Sequence, residues 1–355
     1  MSTPRATGTV CWSNRSRNQI ALQTRKAGGT SYYLHAALLI SSQVKSAFIS
    51  ADTKIIYRSL TANYTIFIQV CQELWDFAED GERYNEKIVH SFLPALFDHW
   101  KRLGTKHVVT IVLMSRVYYE PGEAVYAAGP IQRDEDNQQY KDFFKVETDL
   151  EVVTDWKPIL DGLKESFFAF QRDILLTHHY HTAVRDGNNS IPRLVGRISY
   201  AHDGPLLEAL NLALQPTETH YIDRSLSLTG VATIVITPGR GYYRVSKALL
   251  RLTTTRLLDQ GFGISMVCLG RSPLHATPLF SFYGKEPAKT YKENKSDSQG
   301  GREYDVLWGG EAVVIMDDKE QPSPPPDRTV IHWQPFWVTL MYWDLQSDLP
   351  FRKDK

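Results

Sequence analysis

Apolar and polar positions follow two periods along this chain. Ile66-Phe67-Ile68-Gln69-Val70 and Val108-Val109-Thr110-Ile111-Val112-Leu113-Met114 are short, nearly continuous apolar runs, the pattern of strands buried on both faces. Between them Tyr84, Ile88, Phe92, Leu96, Trp100 and Leu103 recur at spacings of four and three, which predicts a helix over 84–103. Pro94 falls inside that helix and should kink it, because an interior proline costs about 3 kcal/mol. Gly104 should end it.

The alternation continues downstream. A strand is predicted over 140–153 and an apolar helix over 156–176, carrying Ile159, Leu160, Leu163, Phe167, Phe168 and Phe170. A loop follows over 180–200, marked by Asp186-Gly187-Asn188-Asn189. Asp203-Gly204-Pro205 opens a helix with a capping residue and a first-turn proline, and Leu206, Leu207, Leu210 and Leu214 form its apolar face. Strands over 231–237, 242–245 and 264–269 flank a helix that Ser246 caps and Gly261 ends. Continuous apolar strands alternating with helices predict an α/β fold, a largely parallel sheet with helices on both faces.

Four regions emerge. Residues 1–63 read as a partial β-rich segment, polar and poorly ordered over the first thirty, with strands at 47–50 and 54–58. Residues 64–284 form the α/β domain. Residues 285–330 read as a mobile linker, polar over 292–302 and proline-rich over 321–326. In 331–355, Trp333, Phe336, Trp337, Met341, Tyr342 and Trp343 are too aromatic to be left in water, so they dock on the domain or on a partner.

Composition narrows the class. Of 355 residues, 42% are hydrophobic and 23% charged, a globular balance. Lys+Arg and Asp+Glu both number 40, so no net field gathers nucleic acid or anionic lipid. Cys11, Cys71 and Cys268 are too scattered for a disulfide framework, which points to a reducing compartment. No apolar run reaches the roughly 18 residues of a membrane helix; 32–40 comes nearest. Any membrane association is therefore expected to be peripheral.

Ligands of open α/β sheets bind beyond the carboxyl ends of the strands. Those ends are Cys71-Gln72-Glu73, Ser115-Arg116, Thr237-Pro238-Gly239-Arg240-Gly241 and Gly270-Arg271-Ser272. Their order resembles a von Willebrand factor A-like domain, a type that often holds a divalent metal through Asp-x-Ser-x-Ser after its first strand. Here that stretch is Gln69-Val70-Cys71-Gln72-Glu73, which keeps one hard oxygen ligand, Glu73, so no metal and no cofactor is expected. Pro238-Gly239-Arg240-Gly241 has neither phosphate-loop spacing and reads as a turn. His178-His179-Tyr180-His181 reads as a solvated helix end. Arg116, Arg240 and Arg271 are expected to converge at the sheet edge as a candidate anion site. Glu73, Asp76, Asp80 and Glu82 lack a partner base or nucleophile, and Asp80 is expected to cap the helix that follows.

Several longer runs resemble one family. They include Ser46-Ala47-Phe48-Ile49-Ser50, Glu73-Leu74-Trp75-Asp76-Phe77, Val112-Leu113-Met114-Ser115-Arg116, Tyr140-Lys141-Asp142-Phe143-Phe144, His220-Tyr221-Ile222-Asp223-Arg224, Val235-Ile236-Thr237-Pro238-Gly239 and Pro273-Leu274-His275-Ala276-Thr277-Pro278. Over roughly residues 46 to 283 the chain resembles the Iml-one / DEP-domain-containing-protein-five family, the large subunit of the SEACIT/GATOR complex. The resemblance implies a SABA-type domain that docks longin-type, nitrogen permease regulator-like subunits. It further implies an indirect role in GTP hydrolysis by a Rag-type GTPase, and restraint of target-of-rapamycin signalling in amino-acid starvation. The activating arginine of such complexes belongs to a partner, so no enzyme activity is expected of this chain. The family's proteins are several times longer and carry a DEP domain not legible here, which implies a fragment or a truncated paralogue.

The leading expectation is a non-catalytic scaffold whose partner contacts include Glu73, Trp75, Asp76 and Asp80; core packing is the alternative for Trp75. Two other readings stand beside it: a metal- or peptide-binding module at the strand ends, and a phosphate-handling enzyme built on the three arginines.

Overall fold

The computed structural model describes residues 8–13, 19–25, 33–39, 42–44, 54–59, 62–124, 130–151, 155–186, 194–218, 230–260, 262–272, 279–284, 307–308 and 329–343. The expected strand at 47–50, the loop marker at 187–189, Gly261, and the stretches 292–302 and 321–326 lie outside the described residues.

Five N-terminal strands come first: β1 (Gly8–Ser13), β2 (Gln19–Arg25), β3 (Tyr33–Leu39), β4 (Ser42–Val44) and β5 (Lys54–Ser59). They pair antiparallel in the order β4-β3-β2-β1-β5. Two of them fall within the polar first thirty residues.

The larger sheet begins with β6 (Ala62–Gln69). A helical stretch follows as α1 (Tyr84–Lys87), a π-helical turn (Ile88–Phe92) and α2 (Leu93–Leu103). Next come β7 (Val108–Tyr119), β8 (Gln132–Arg133), β9 (Gln139–Glu151), α3 (Lys157–Asp186), β10 (Arg197–Ile198) and α4 (Leu206–Glu218). The chain continues through β11 (Gly230–Thr237), β12 (Tyr243–Arg244), α5 (Lys247–Gln260), β13 (Ile264–Cys268), β14 (Phe280–Gly284), β15 (Thr329–Trp333) and β16 (Val338–Tyr342). Strand order is β16-β13-β11-β6-β7-β9-β8, with β10 also on β7. The first five strands of that order are mutually parallel, whereas β9, β8 and β10 add antiparallel pairs. This is the expected largely parallel α/β sheet.

Strand alternation divides the core in two. Ile66, Ile68, Ile111 and Leu113 face α1, α2 and α3, while Phe67, Val112 and Met114 face α4 and α5. Each face is sealed by helices, so the central strands need apolar residues at every position.

Four expectations change. The helix over 84–103 opens into a π turn just before Pro94 instead of running continuously, and Pro94 then occupies the first turn of α2. Its missing N–H is harmless there. The wider turn shifts the phase, so Phe97 takes the buried place expected of Leu96 and Leu103 is exposed, while Trp100 stays buried as expected. Gly104 ends α2 at φ 67° as expected, its N–H bonding the Lys101 and Trp100 carbonyls. The helix α3 runs on to Asp186, so 178–181 lies within it and not after it. Neither glycine nor proline interrupts that stretch before Gly187. Asp203 does not cap α4; its carboxylate is taken by Arg244. Finally, part of the aromatic C-terminal segment is itself a sheet strand. β16 pairs with β13, Trp337 is buried with its indole N–H on Thr254, and the Trp343 indole donates to Ser91.

Candidate functional site at the strand ends

At the carboxyl end of the sheet, β6 closes on Gln69, whose side chain is wholly buried. Its amide nitrogen donates to the Ala201 carbonyl at 2.7 Å. Its amide oxygen accepts from the Thr237 hydroxyl at 2.7 Å and from the Tyr243 hydroxyl at 2.9 Å. Thr237 in turn accepts the Gly239 N–H, the first bond of the Pro238-Gly239-Arg240-Gly241 turn. Gly204 lies so close that a Cβ there would stand 2.0 Å from the Gln69 amide nitrogen. This satisfied neutral network occupies the place where the fold type carries its metal loop.

The donor set does not fit a divalent ion. Glu73, the one hard ligand of the loop, accepts the Ala201 N–H at 2.9 and 3.0 Å, and Gln72 donates to the Ile198 carbonyl. Among the described residues no group of three or more His, Cys, Asp or Glu could hold a metal. Cys71 and Cys268 are buried free thiols. Burial pushes both up, Cys268 to about 12, and Glu73 adds to the effect at Cys71, which leaves them protonated and unreactive.

The loop after β6 sorts its expected contact residues. Glu73 is engaged by backbone. Trp75 is half-buried and packs on Phe168 with ring centroids 4.5 Å apart. Asp80 does not cap α1. It accepts the Glu82 N–H and forms an ion pair with the buried Lys87, which gives that lysine its counter-charge. Asp76 is exposed, and beside it stands Phe77, 65% exposed with the Arg83 guanidinium 5.1 Å from its ring. An exposed phenylalanine here is not foreseeable from the pattern.

The three arginines do not form one cluster. Arg240 and Arg271 both reach Glu79, at 3.3 and 3.5 Å. Arg116 is buried elsewhere and bridges two carboxylates. It bonds Asp142 through two nitrogens at 2.6 and 2.9 Å, and Glu208 at 2.7 Å. Burial works against its charge, but Asp142 and Glu208 outweigh it and hold the guanidinium well above its usual range. Burial lifts the Glu208 carboxyl despite Arg116. The arginine that joins Arg116 is Arg244, bound to both Asp203 oxygens at 2.6 Å, and the two line a cavity of about 530 Å³. Asp142, Glu208 and Arg244 carry no sequence signal of this role, and Asp203 reads there only as a helix cap, because pairing across 26 to 92 positions leaves no local mark.

Comparison with known proteins agrees with this geometry. The family described as "Vacuolar membrane-associated protein Iml1, vWA-like domain" matches residues 61–282. Vacuolar membrane-associated protein iml1 of Schizosaccharomyces pombe is 37% identical over 274 residues, covering 72% of this chain and 18% of that protein. GATOR complex protein Iml1 of Drosophila melanogaster is 37% identical over 258 residues, covering 72% and 16%. Vacuolar membrane-associated protein IML1 of Pyricularia oryzae is 38% identical over 354 residues, covering 89% and 19%. The chain thus spans about a fifth of the length of these relatives. It belongs to the Iml1 family, and residues 61–282 are its von Willebrand factor A-like domain.

Proposed function

We propose that this chain is a non-catalytic scaffold subunit, or part of one, in a SEACIT/GATOR-like complex. The observation that carries the reading is the family domain over 61–282 together with a relative named as a GATOR complex protein. In this reading it docks longin-type, nitrogen permease regulator-like subunits. The assembled complex promotes GTP hydrolysis by a Rag-type GTPase and so restrains target-of-rapamycin signalling when amino acids are scarce. Its place is the cytoplasmic face of the vacuolar membrane, held peripherally. Relatives named as vacuolar membrane-associated support this, and no described helix is long and apolar enough to cross a membrane.

The closed Gln69 network supports a structural role for the strand ends over a metal-dependent one. For docking we favour the exposed side of the loop after β6, where Asp76 and Phe77 stand free of the ion pair that occupies Asp80. Exposed aromatic groups beside charges suit interface anchors.

Co-expression with a longin-type subunit of the same organism, followed by size-exclusion chromatography, tests the reading. Co-elution that weakens in Phe77→Ala with the fold intact supports it. Separate elution of two folded proteins refutes it.

A further inference from the structure

The cavity of about 530 Å³ behind Arg116 and Arg244 has no task in the scaffold reading. Its charges are unequal: three arginines against Asp134, Glu135, Asp136, Asp203 and Glu208. Arg116 is engaged by Asp142 and Glu208 and Arg244 by Asp203, while Arg133 donates to the Asn137 side-chain amide oxygen. Two acids of the turn at the rim meet neutral donors. Asp134 accepts the Asp136 and Gln138 N–H groups, and Asp136 accepts the Tyr283 hydroxyl. An anion entering here would face surplus carboxylate, with the Arg116 and Arg244 guanidinium groups already committed to acids.

The walls carry a second signature. Tyr118, Tyr140, Tyr242 and Tyr283 line the cavity together with Leu207 and Leu249. Arg116 already covers a face of Tyr140, but the other tyrosines and the aliphatic surface suit a cation on a hydrocarbon stem. The volume lies in the range of small-ligand sites and exceeds one side chain, leaving room for flanking backbone. A smaller cavity of about 210 Å³ shares Tyr118, Asp203 and Arg244 with it and is lined by Ser199. That serine is 3% exposed, and its hydroxyl has no partner among the described residues. That hydroxyl is a hydrogen-bonding group left unused in the adjoining cavity.

We propose that this cavity receives an arginine or lysine side chain presented on a polypeptide segment of a partner protein. The origin of that segment rests on the scaffold reading; the recognition chemistry rests on the cavity alone. Burial holds the Asp134 carboxyl above its usual range, so a cation arriving beside it relieves an existing cost.

The test uses the full chain and the probe N-acetyl-Gly-Arg-Gly-amide, followed by saturation-transfer NMR, with the citrulline peptide as a neutral isostere. Saturable binding of the arginine peptide is expected, stronger than that of the citrulline peptide. Replacing both Asp134→Asn and Asp136→Asn keeps the turn's hydrogen-bond acceptors and should weaken binding about fivefold. Equal binding of the two peptides, no saturable binding, or an unchanged affinity in the double variant overturns the proposal. Peptide binding without co-elution of a longin-type subunit supports the cavity and refutes the scaffold reading. Co-elution without peptide binding does the reverse.

Discussion

Replacing Arg116 with methionine tests whether the strand-end arginine is a structural strut. Its side chain is 8% exposed, against 9% for Asp142 and 26% for Glu208, and its guanidinium also lies 4.0 Å from the Tyr140 ring centroid. Methionine fills similar space but leaves two carboxylates without their counter-charge. Breaking a buried pair on one side costs roughly 3–5 kcal/mol. Glu208 retains some water, so the lower end, about 3 kcal/mol, applies. A domain of this size loses about 2–4 °C of melting temperature per kcal/mol, so Tm should fall by about 6–12 °C. The pH dependence gives the sharper readout. Without Arg116 the Glu208 carboxyl, already lifted by burial, rises further above its unfolded value. A group raised in this way destabilises the fold where it is ionised and ceases to do so as pH falls through its folded pKa. The deficit against wild type should be greatest near neutrality and close toward pH of about 4. Urea denaturation followed by tryptophan fluorescence across that range measures it. Arg116→Met with Asp142→Asn and Glu208→Gln should recover most of the loss. A deficit below about 1 kcal/mol, or one independent of pH, would refute the reasoning.

Other outcomes follow from the same geometry. Gln69→Leu strands the Thr237 and Tyr243 hydroxyls and the Ala201 carbonyl, and should cost about 2–4 kcal/mol in a denaturant titration; a loss within error would show that the network does not matter. Gly196→Ala should destabilise by several kcal/mol, about 3 or more, because φ is +86° and the added Cβ would stand 2.6 Å from Val117. Burial lowers the His107 pKa, and its Nδ1 accepts the Ala62 N–H. The folded state therefore binds fewer protons than the unfolded chain as pH falls below about 6.5. Stability should decline through that window, and His107→Gln should flatten the decline in thermal melts taken at successive pH values.

Much of the fold was legible because its causes are local. Continuous apolar runs marked β6, β7, β11 and β13 as doubly buried, and heptad-like spacing marked the helices between them. Gly104 and the turn after Thr237 followed from backbone chemistry alone. Features set by distant partners were not legible. Nothing near Pro94 announces a π turn, because packing of Phe97 on Trp156 and of Trp100 on Tyr64 and His107 chooses the phase. Asp203 and Asp80 look like caps by position, yet a guanidinium and an ammonium brought from elsewhere in the fold claim them.

By itself, then, the sequence determined the α/β class, the place of the strand ends and the replacement of an Asp-x-Ser-x-Ser run by Gln69-Val70-Cys71-Gln72-Glu73 there, since these depend on residue type and period. Only the tertiary structure decided that Gln69 closes that place with a bonded amide and that β16 completes the sheet. It also decided that Arg116 sides with Arg244 while Arg240 and Arg271 meet at Glu79. Hydrogen bonds and ion pairs form between whichever groups the packed backbone brings within about 3 Å, and sequence periodicity carries no record of that approach.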